Sequence, residues 1–327
     1  MAIRAPFREA VEDYEDAVGD RISHTAIWRL AHEAGEQMRQ DEAAEVEVAH
    51  APAQPGEAPG EQRVAQVQPV VEQGNISSDG AMILVRGEGW KEVKMAACSR
   101  VQVLPPTGTR PGQSPGRRDH DPRVVLDQHS YVAGLWDADE FARYQYTEGL
   151  RRGLDRVQIL TSVNDGAVWI RRVTQTNFPQ AIQIVDWAHA SGHLHAIAEA
   201  AWGEGSALGE QWVRARLEEL WTGRVELVVQ AIERIKGRRQ EEAVESDPAN
   251  YFASNVDRMR YDQYRQESYP IGSGTVESGV KGVVQKRMCC SGPGWRRKRA
   301  DGMLALVGAY HSGRFMRMWR RLSHRAA

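Results

Sequence analysis

The 327-residue sequence has only 3 cysteines, and two of them are adjacent (Cys289, Cys290). That number builds no disulfide framework, so a reducing cytoplasm is the expected compartment. Apolar runs approaching the ~20 residues of a membrane helix are also lacking, and mean hydropathy is −0.55. A transmembrane protein is therefore excluded as an expectation. The opening Met1-Ala2-Ile3-Arg4-Ala5-Pro6 turns acidic with no apolar core, so no secretion signal is expected. There is no internal repeat. Nor is there a large overall charge: 42 Lys+Arg face 44 Asp+Glu, a formal net of −2.

That balance hides a polarity. Residues 1–72 carry 15 acidic and 6 basic side chains, a local net of −9. Residues 280–327 carry 12 basic side chains and one acid, Asp301, a local net of +11. Clustered Arg and Lys are the electrostatic footprint of a polyanion contact, although a solvated helix face explains many such runs.

At roughly 150 residues per domain, the length suggests about two domains. Phe7, Ala10, Val11 and Tyr14 recur at helical spacing, and after Gly19-Asp20-Arg21, Ser23 can cap a second helix. Residues 1–39 thus read as a helical hairpin, a remnant of a helix-turn-helix or simply a packing unit. Residues 40–69 are rich in Glu, Ala, Pro and Gly and read as a linker. A hairpin is expected around Gly87-Glu88-Gly89, from strands at 76–86 and 90–99. An exposed basic loop at 105–123 (Arg110, Arg117, Arg118) follows. Then come a strand at 130–135, a helix at 137–152, a strand at 157–162, a helix at 167–176 and a strand at 181–186. The order β-β-β-α-β-α-β combines an antiparallel meander with crossovers that feed parallel pairing. Residues 191–268 read as almost wholly helical. Two further helices are expected between Gly279 and Arg321, broken at Ser291-Gly292-Pro293-Gly294.

Three acids stand out in this frame. Asp79 falls inside a predicted strand, where a carboxylate is costly to bury unless paired or on a metal. Asp165 lies just past the carboxyl end of the fourth strand, the edge where open α/β sheets bind ligands. Glu277 follows Gly272-Ser273-Gly274, with Ser273 or Thr275 as the expected helix cap. Singly, each has a bland alternative: Asp-Gly is a turn dipeptide, and an acid at a helix start satisfies the dipole. Together they suit hard divalent cations, Mg²⁺ or Mn²⁺. Two such ions about 3.5–4 Å apart activate an attacking oxygen and stabilise a leaving one.

Five stretches in order carry a family resemblance: Ser78-Asp79-Gly80, Gly89-Trp90-Lys91-Glu92, Asn164-Asp165-Gly166-Ala167-Val168-Trp169-Ile170, Asp186-Trp187-Ala188-His189-Ala190 and Gly272-Ser273-Gly274-Thr275-Val276-Glu277-Ser278. From about residue 70 to 320 the chain resembles DDE-type transposases of bacterial insertion sequences, in the ISKra-like branch. The resemblance implies an α/β, ribonuclease-H-like fold: a mixed five-stranded sheet flanked by helices, its core split into 70–190 and 269–327 by an all-α insertion at 191–268. It implies Asp79, Asp165 and Glu277 as a metal-binding triad for two Mg²⁺ or Mn²⁺ ions, and Asp186 and His189 as an accessory acid-to-histidine motif. Relatives tend to carry an aromatic where Ala188 stands and a glutamate where Gly192 stands. The implied activity is metal-dependent DNA cleavage and strand transfer by a homo-oligomer on DNA.

His189, His193 and His195 offer an alternative zinc set on one helix, but Ala190 stands where a His-Glu-x-x-His hydrolase needs its base. A core or DNA-adjacent role is favoured for these histidines. Cys289 and Cys290 lack the spacing of a metal site, and packing is their expected role. The basic end is expected to position phosphates beside Glu277 through Lys281, Lys286, Arg287, Arg296, Arg297, Lys298 and Arg299, with Trp295 packing at the helix start or stacking on a base. Arg296 and Lys298 are placed on the rim of the acid site. Two further alternatives stay open. One is a nuclease of the same fold that hydrolyses without joining strands. The other is an inactive DNA-binding remnant, given how abruptly the chain opens in the helical hairpin.

Overall fold

The computed structural model describes residues 2–3, 5–53, 55, 58–106, 121–236, 248–290 and 294–316. In chain order these form α1 (Phe7–Val18), α2 (His24–His50), α3 (Gly60–Arg63), β1 (Gln73–Val85), β2 (Gly89–Leu104), β3 (Arg123–Gly134), α4 (Ala138–Arg151), β4 (Ile159–Asn164), α5 (Val168–Asn177), β5 (Ile182–Val185), α6 (Trp187–Trp202), α7 (Ala207–Trp221) and α8 (Val225–Lys236). After them come α9 (Pro248–Ala253), a 3₁₀ turn (Val256–Arg258), α10 (Tyr261–Gln266), α11 (Gly274–Gly279), a π turn (Val280–Gln285), α12 (Lys286–Met288) and α13 (Arg297–His311).

The strands make one mixed sheet in the order β3-β2-β1-β4-β5. β1, β2 and β3 form an antiparallel meander, while β4 joins β1, and β5 joins β4, in parallel. Parallel neighbours need crossovers, and α4 and α5 supply them. The two faces are covered differently. Ala81, Ile83 and Val85 of β1, with Val93, Met95 and Ala97 of β2, pack beneath α2, α13 and the α11–π turn segment. Ile76 and Cys98, and separately Ala96 and Val132, point the other way, toward the side of α4 and α5. A separate core joins β4 and β5 to α6–α10 through Val163, Ile184, Leu194, Leu220, Val228 and Phe252.

Two expectations are corrected. Residues 40–50 are not linker, because α2 continues to His50. Ala and Glu are strong helix formers, and Met38, Glu42, Val46 and Ala49 are buried. The expected N-terminal helices do form, and they pack on the rest of the chain. Ala31, Ala34 and Met38 belong to the main core, and a Cβ on Gly35 would lie 2.6 Å from the carbonyl oxygen of Gly302, so α2 and α13 touch backbone to backbone. The expected Ser23 cap does form, accepting the Ala26 N–H at 3.1 Å. β3 is also longer than expected, beginning at Arg123. The basic loop residues Arg110, Arg117 and Arg118, and the break at 291–293, lie outside the described residues.

Beside α2, charged side chains are buried in a network. Glu148 of α4 accepts hydrogen bonds from Arg151 and, at 2.7 and 2.8 Å, from Arg314. Arg151 also pairs with Glu45, and Arg39 pairs with Glu42 at 2.8 Å and Asp301 at 2.9 Å. Burial works against the charge on Glu148, but Arg151 and Arg314 outweigh it and hold the carboxyl down at about 2.

Candidate active site

The site follows from strand register. β1 and β4 pair Gln73 with Ile159, Gly74 with Leu160 and Asn75 with Thr161, an offset of 86 residues. Continued four residues, the same offset sets Asp79 level with Asp165. The Ser78 N–H, one residue short of that level, donates to the Asn164 side chain at 2.6 Å. β4 and β5 pair Asn164 with Val185. One step further sets Asp165 level with Asp186, and the Asp186 N–H donates to the Asn164 carbonyl at 2.7 Å. Residues at one level of parallel neighbours share a face. The register so continued places Asp79 within β1, and Asp165 and Asp186 just past the carboxyl ends of β4 and β5, at neighbouring positions of one sheet edge; Asp79 is close enough to Asp165 and Glu277 to feel both charges.

Glu277 approaches this edge from α11. Val276, Val280, Val283 and Val284 bury the helical run against the sheet, and Ser273 donates its hydroxyl to Glu277 Oε1 at 3.2 Å. This bond replaces the expected cap, since no side chain caps α11. The π turn begins three residues after Glu277, a departure from α geometry that often accompanies functional residues. Asp186 anchors the segment. One of its oxygens accepts the His189 N–H at 2.8 Å and the other accepts the Ser273 N–H.

The electrostatics record the crowding. Burial, together with the charges of Asp165 and Glu277, raises the Asp79 carboxyl to about 6 against the opposing Gly80 N–H and His189. Burial also opposes ionisation of Asp186, but hydrogen bonds from His189 and Ser273 hold it at about 2. His189, 3.3 Å from Asp186, is shifted upward by that hydrogen bond. Among the described residues no Lys or Arg forms an ion pair with Asp79, Asp165 or Glu277. Crowded oxygen donors without a protein cation fit a hard divalent ion. Among the described residues, ligand atoms come within 4.8 Å of one another in Asp186, His189 and Glu277; Glu277 is the one member of the expected triad in that group, and Asp79 and Asp165 stand outside it.

The histidines divide. His189 joins the acidic group, His193 packs against Tyr251 with ring centroids 4.0 Å apart, and His195 is exposed. Tyr251, from α9, donates its hydroxyl to the Asp165 carbonyl at 2.9 Å. Burial and the neighbouring Asp165 charge push that hydroxyl's pKa up. Nothing in the sequence pattern singled out Tyr251, because its contact depends on how α9 sits over the β4 edge.

The basic residues do not gather at the acid site. Trp295 bridges Val85, with its N–H donating to the Leu84 carbonyl at 3.1 Å, and Arg297 pairs with Glu88 at 2.6 Å. The start of α13 therefore lies at the hairpin end of β1, six residues from Asp79. At about 3.3 Å per residue this is roughly 20 Å, so Arg296 and Lys298 are not on the acid site's rim. Arg287 is buried, stacked on Phe7 at 4.4 Å and Trp295 at 4.9 Å, and is not free to meet a phosphate. Trp295 is packed among these groups, Arg299 lies 4.0 Å over Trp28, and Lys298 pairs with Glu36 at 2.6 Å. Lys281, Lys286 and Arg296 are exposed, and Lys281 stands one turn beyond Glu277. Cys289 and Cys290 are exposed, contrary to the packing role expected of them, while Cys98 is buried. None of the described helices is long and apolar enough to cross a membrane.

No known family matches the chain, and no curated protein is significantly similar to it.

Proposed function

We propose that the chain is a DDE-type transposase with a ribonuclease-H-like catalytic core, acting on DNA by metal-dependent phosphodiester cleavage and strand transfer. The observation that carries this reading is the closeness of three acids far apart in sequence: Asp79 of β1 feels the charges of Asp165, just past β4, and of Glu277 in α11. The sheet order β3-β2-β1-β4-β5, with only β1–β4 and β4–β5 parallel, supports the fold assignment.

Asp79, Asp165 and Glu277 would hold one or two Mg²⁺ or Mn²⁺, with Asp186 and His189 beside them. Such ions supply Lewis acidity for an attacking and a leaving oxygen. The chain's own contribution is position. The sheet holds two carboxylates close together, Ser273 orients the third, and Asp186 locks the Glu277 segment to β5. Among these site residues no side chain is placed as a covalent nucleophile, so catalysis rests on orientation and charge. Lys281 is the basic group nearest in sequence to the acids and is assigned to a phosphate beside them. Arg296 and Lys298 contact DNA farther away, since roughly 20 Å corresponds to about six base pairs of duplex.

The test is incubation with Mg²⁺ and a supercoiled plasmid, together with a labelled duplex bearing a free 3′-hydroxyl. Cleavage and joined product are expected, both abolished by Asp79→Asn, Asp165→Asn or Glu277→Gln while DNA binding persists. Cleavage without joining would identify a hydrolytic nuclease on the same site. If all three variants still cut, the assignment fails.

A further inference from the structure

We propose that Tyr251 is a positioning residue for the acid site, a latch from the helical segment that fixes the loop carrying Asp165; this rests on the metal-binding reading above. The loop between β4 and α5 has one carboxylate to present, and Asp165 Oδ1 already accepts the Ala167 N–H at 2.8 Å. Side-chain direction is thereby coupled to the local backbone. The Asp165 carbonyl is held by the Tyr251 hydroxyl at 2.9 Å. The next residue, Gly166, has φ +98°, and a Cβ there would stand 3.0 Å from the Tyr251 ring. Tyr251 thus seats a backbone conformation that an L side chain rarely adopts.

The latch is itself braced. His193 of α6 packs against the ring at a tilt of 35°, and Asn255 donates to the Tyr251 carbonyl at 2.7 Å. Arg258 reaches the Gly166 carbonyl at 3.5 Å. Tyr251 of α9 and Arg258 of the following 3₁₀ turn therefore converge on two consecutive carbonyls beside one acid, with His193 of α6 against the Tyr251 ring. Removing the hydroxyl frees the Asp165 peptide to rotate while leaving the ring and its packing in place. Partners of this kind, one step removed from a metal ligand, change affinity by about 10–100-fold when lost.

Tyr251→Phe isolates that single oxygen. Titration calorimetry with Mn²⁺, on the full chain without DNA, is expected to show about tenfold weaker binding, with the melting temperature close to that of the unaltered protein. Equal Mn²⁺ affinity in the variant and the unaltered protein overturns the latch and leaves the metal site standing. A loss of affinity that only accompanies a large fall in melting temperature also overturns it, because it marks a folding role. Absence of Mn²⁺ binding to the unaltered protein overturns both the latch and the metal-site reading.

Discussion

Asp186 accepts the backbone N–H of Ser273, joining the end of β5 to the segment that enters the Glu277 helix. Its second oxygen accepts the His189 N–H at 2.8 Å, and the adjacent Trp187 N–H donates to the Ile271 carbonyl at 2.9 Å. Asp186 thus stands at the same sheet edge as Asp165 but differs in kind, since protein donors already occupy both of its oxygens. Asp186→Ala removes a helix cap and leaves Ser273 unsatisfied. The expected cost is about 2–3 kcal/mol, measured by urea denaturation.

Asp79 gives the opposite sign. Its folded carboxyl titrates near 6, above the ordinary 3.8. The folded state therefore binds the extra proton between those values, and stability falls as pH rises through the window. Asp79→Asn removes the penalty. The metal-free variant should melt higher than the unaltered protein at pH 7 to 8, by about 1 kcal/mol after allowance for solvent screening, and should match it below pH 4. The check is a pair of melts at the two pH values.

Glu148 behaves as a structural acid. Its carboxyl is held at about 2 against an ordinary 4.5. This contribution to stability is complete above about pH 4.5 and is lost as pH falls toward 2. Glu148→Gln leaves Arg151 and Arg314 without their shared partner in a buried place. The variant should lose about 3–5 kcal/mol at neutral pH, with the difference shrinking in acid, as read by denaturant titration.

The cations of the carboxyl-terminal region should separate into two groups. Arg296→Ala and Lys298→Ala are expected to weaken duplex DNA binding irrespective of sequence, each reducing the salt dependence by about 0.9 in log–log slope if it meets one phosphate. Their melting temperatures should hold. Arg287→Ala, which removes a buried guanidinium from between Phe7 and Trp295, should lower the melting temperature. Fluorescence anisotropy across a salt series, paired with melts, separates the groups.

Much of this arrangement was legible in the sequence, for local reasons. Strand alternation and the Gly87-Glu88-Gly89 turn announced the β1–β2 hairpin. The 86-residue interval between Asp79 and Asp165 equals the β1–β4 register offset, an equality that only the observed pairing reveals. Where long-range packing decides, local signals failed. Residues 40–50 look like linker by composition, yet become helix because α2 buries Val46 and Ala49. Arg287 looks free to bind DNA until Phe7 of α1 and Trp295 close around it. Tyr251 carries no local mark at all, since only the return of α9 over the β4 edge brings it to Asp165.

The most direct test soaks crystals of the full chain in Mn²⁺ and collects anomalous diffraction. The proposed function predicts one or two manganese peaks at about 2.0–2.2 Å from carboxylate oxygens of Asp79, Asp165 and Glu277. A manganese held by Asp186 and His189 alone, or no peak on this face of the sheet, would contradict it.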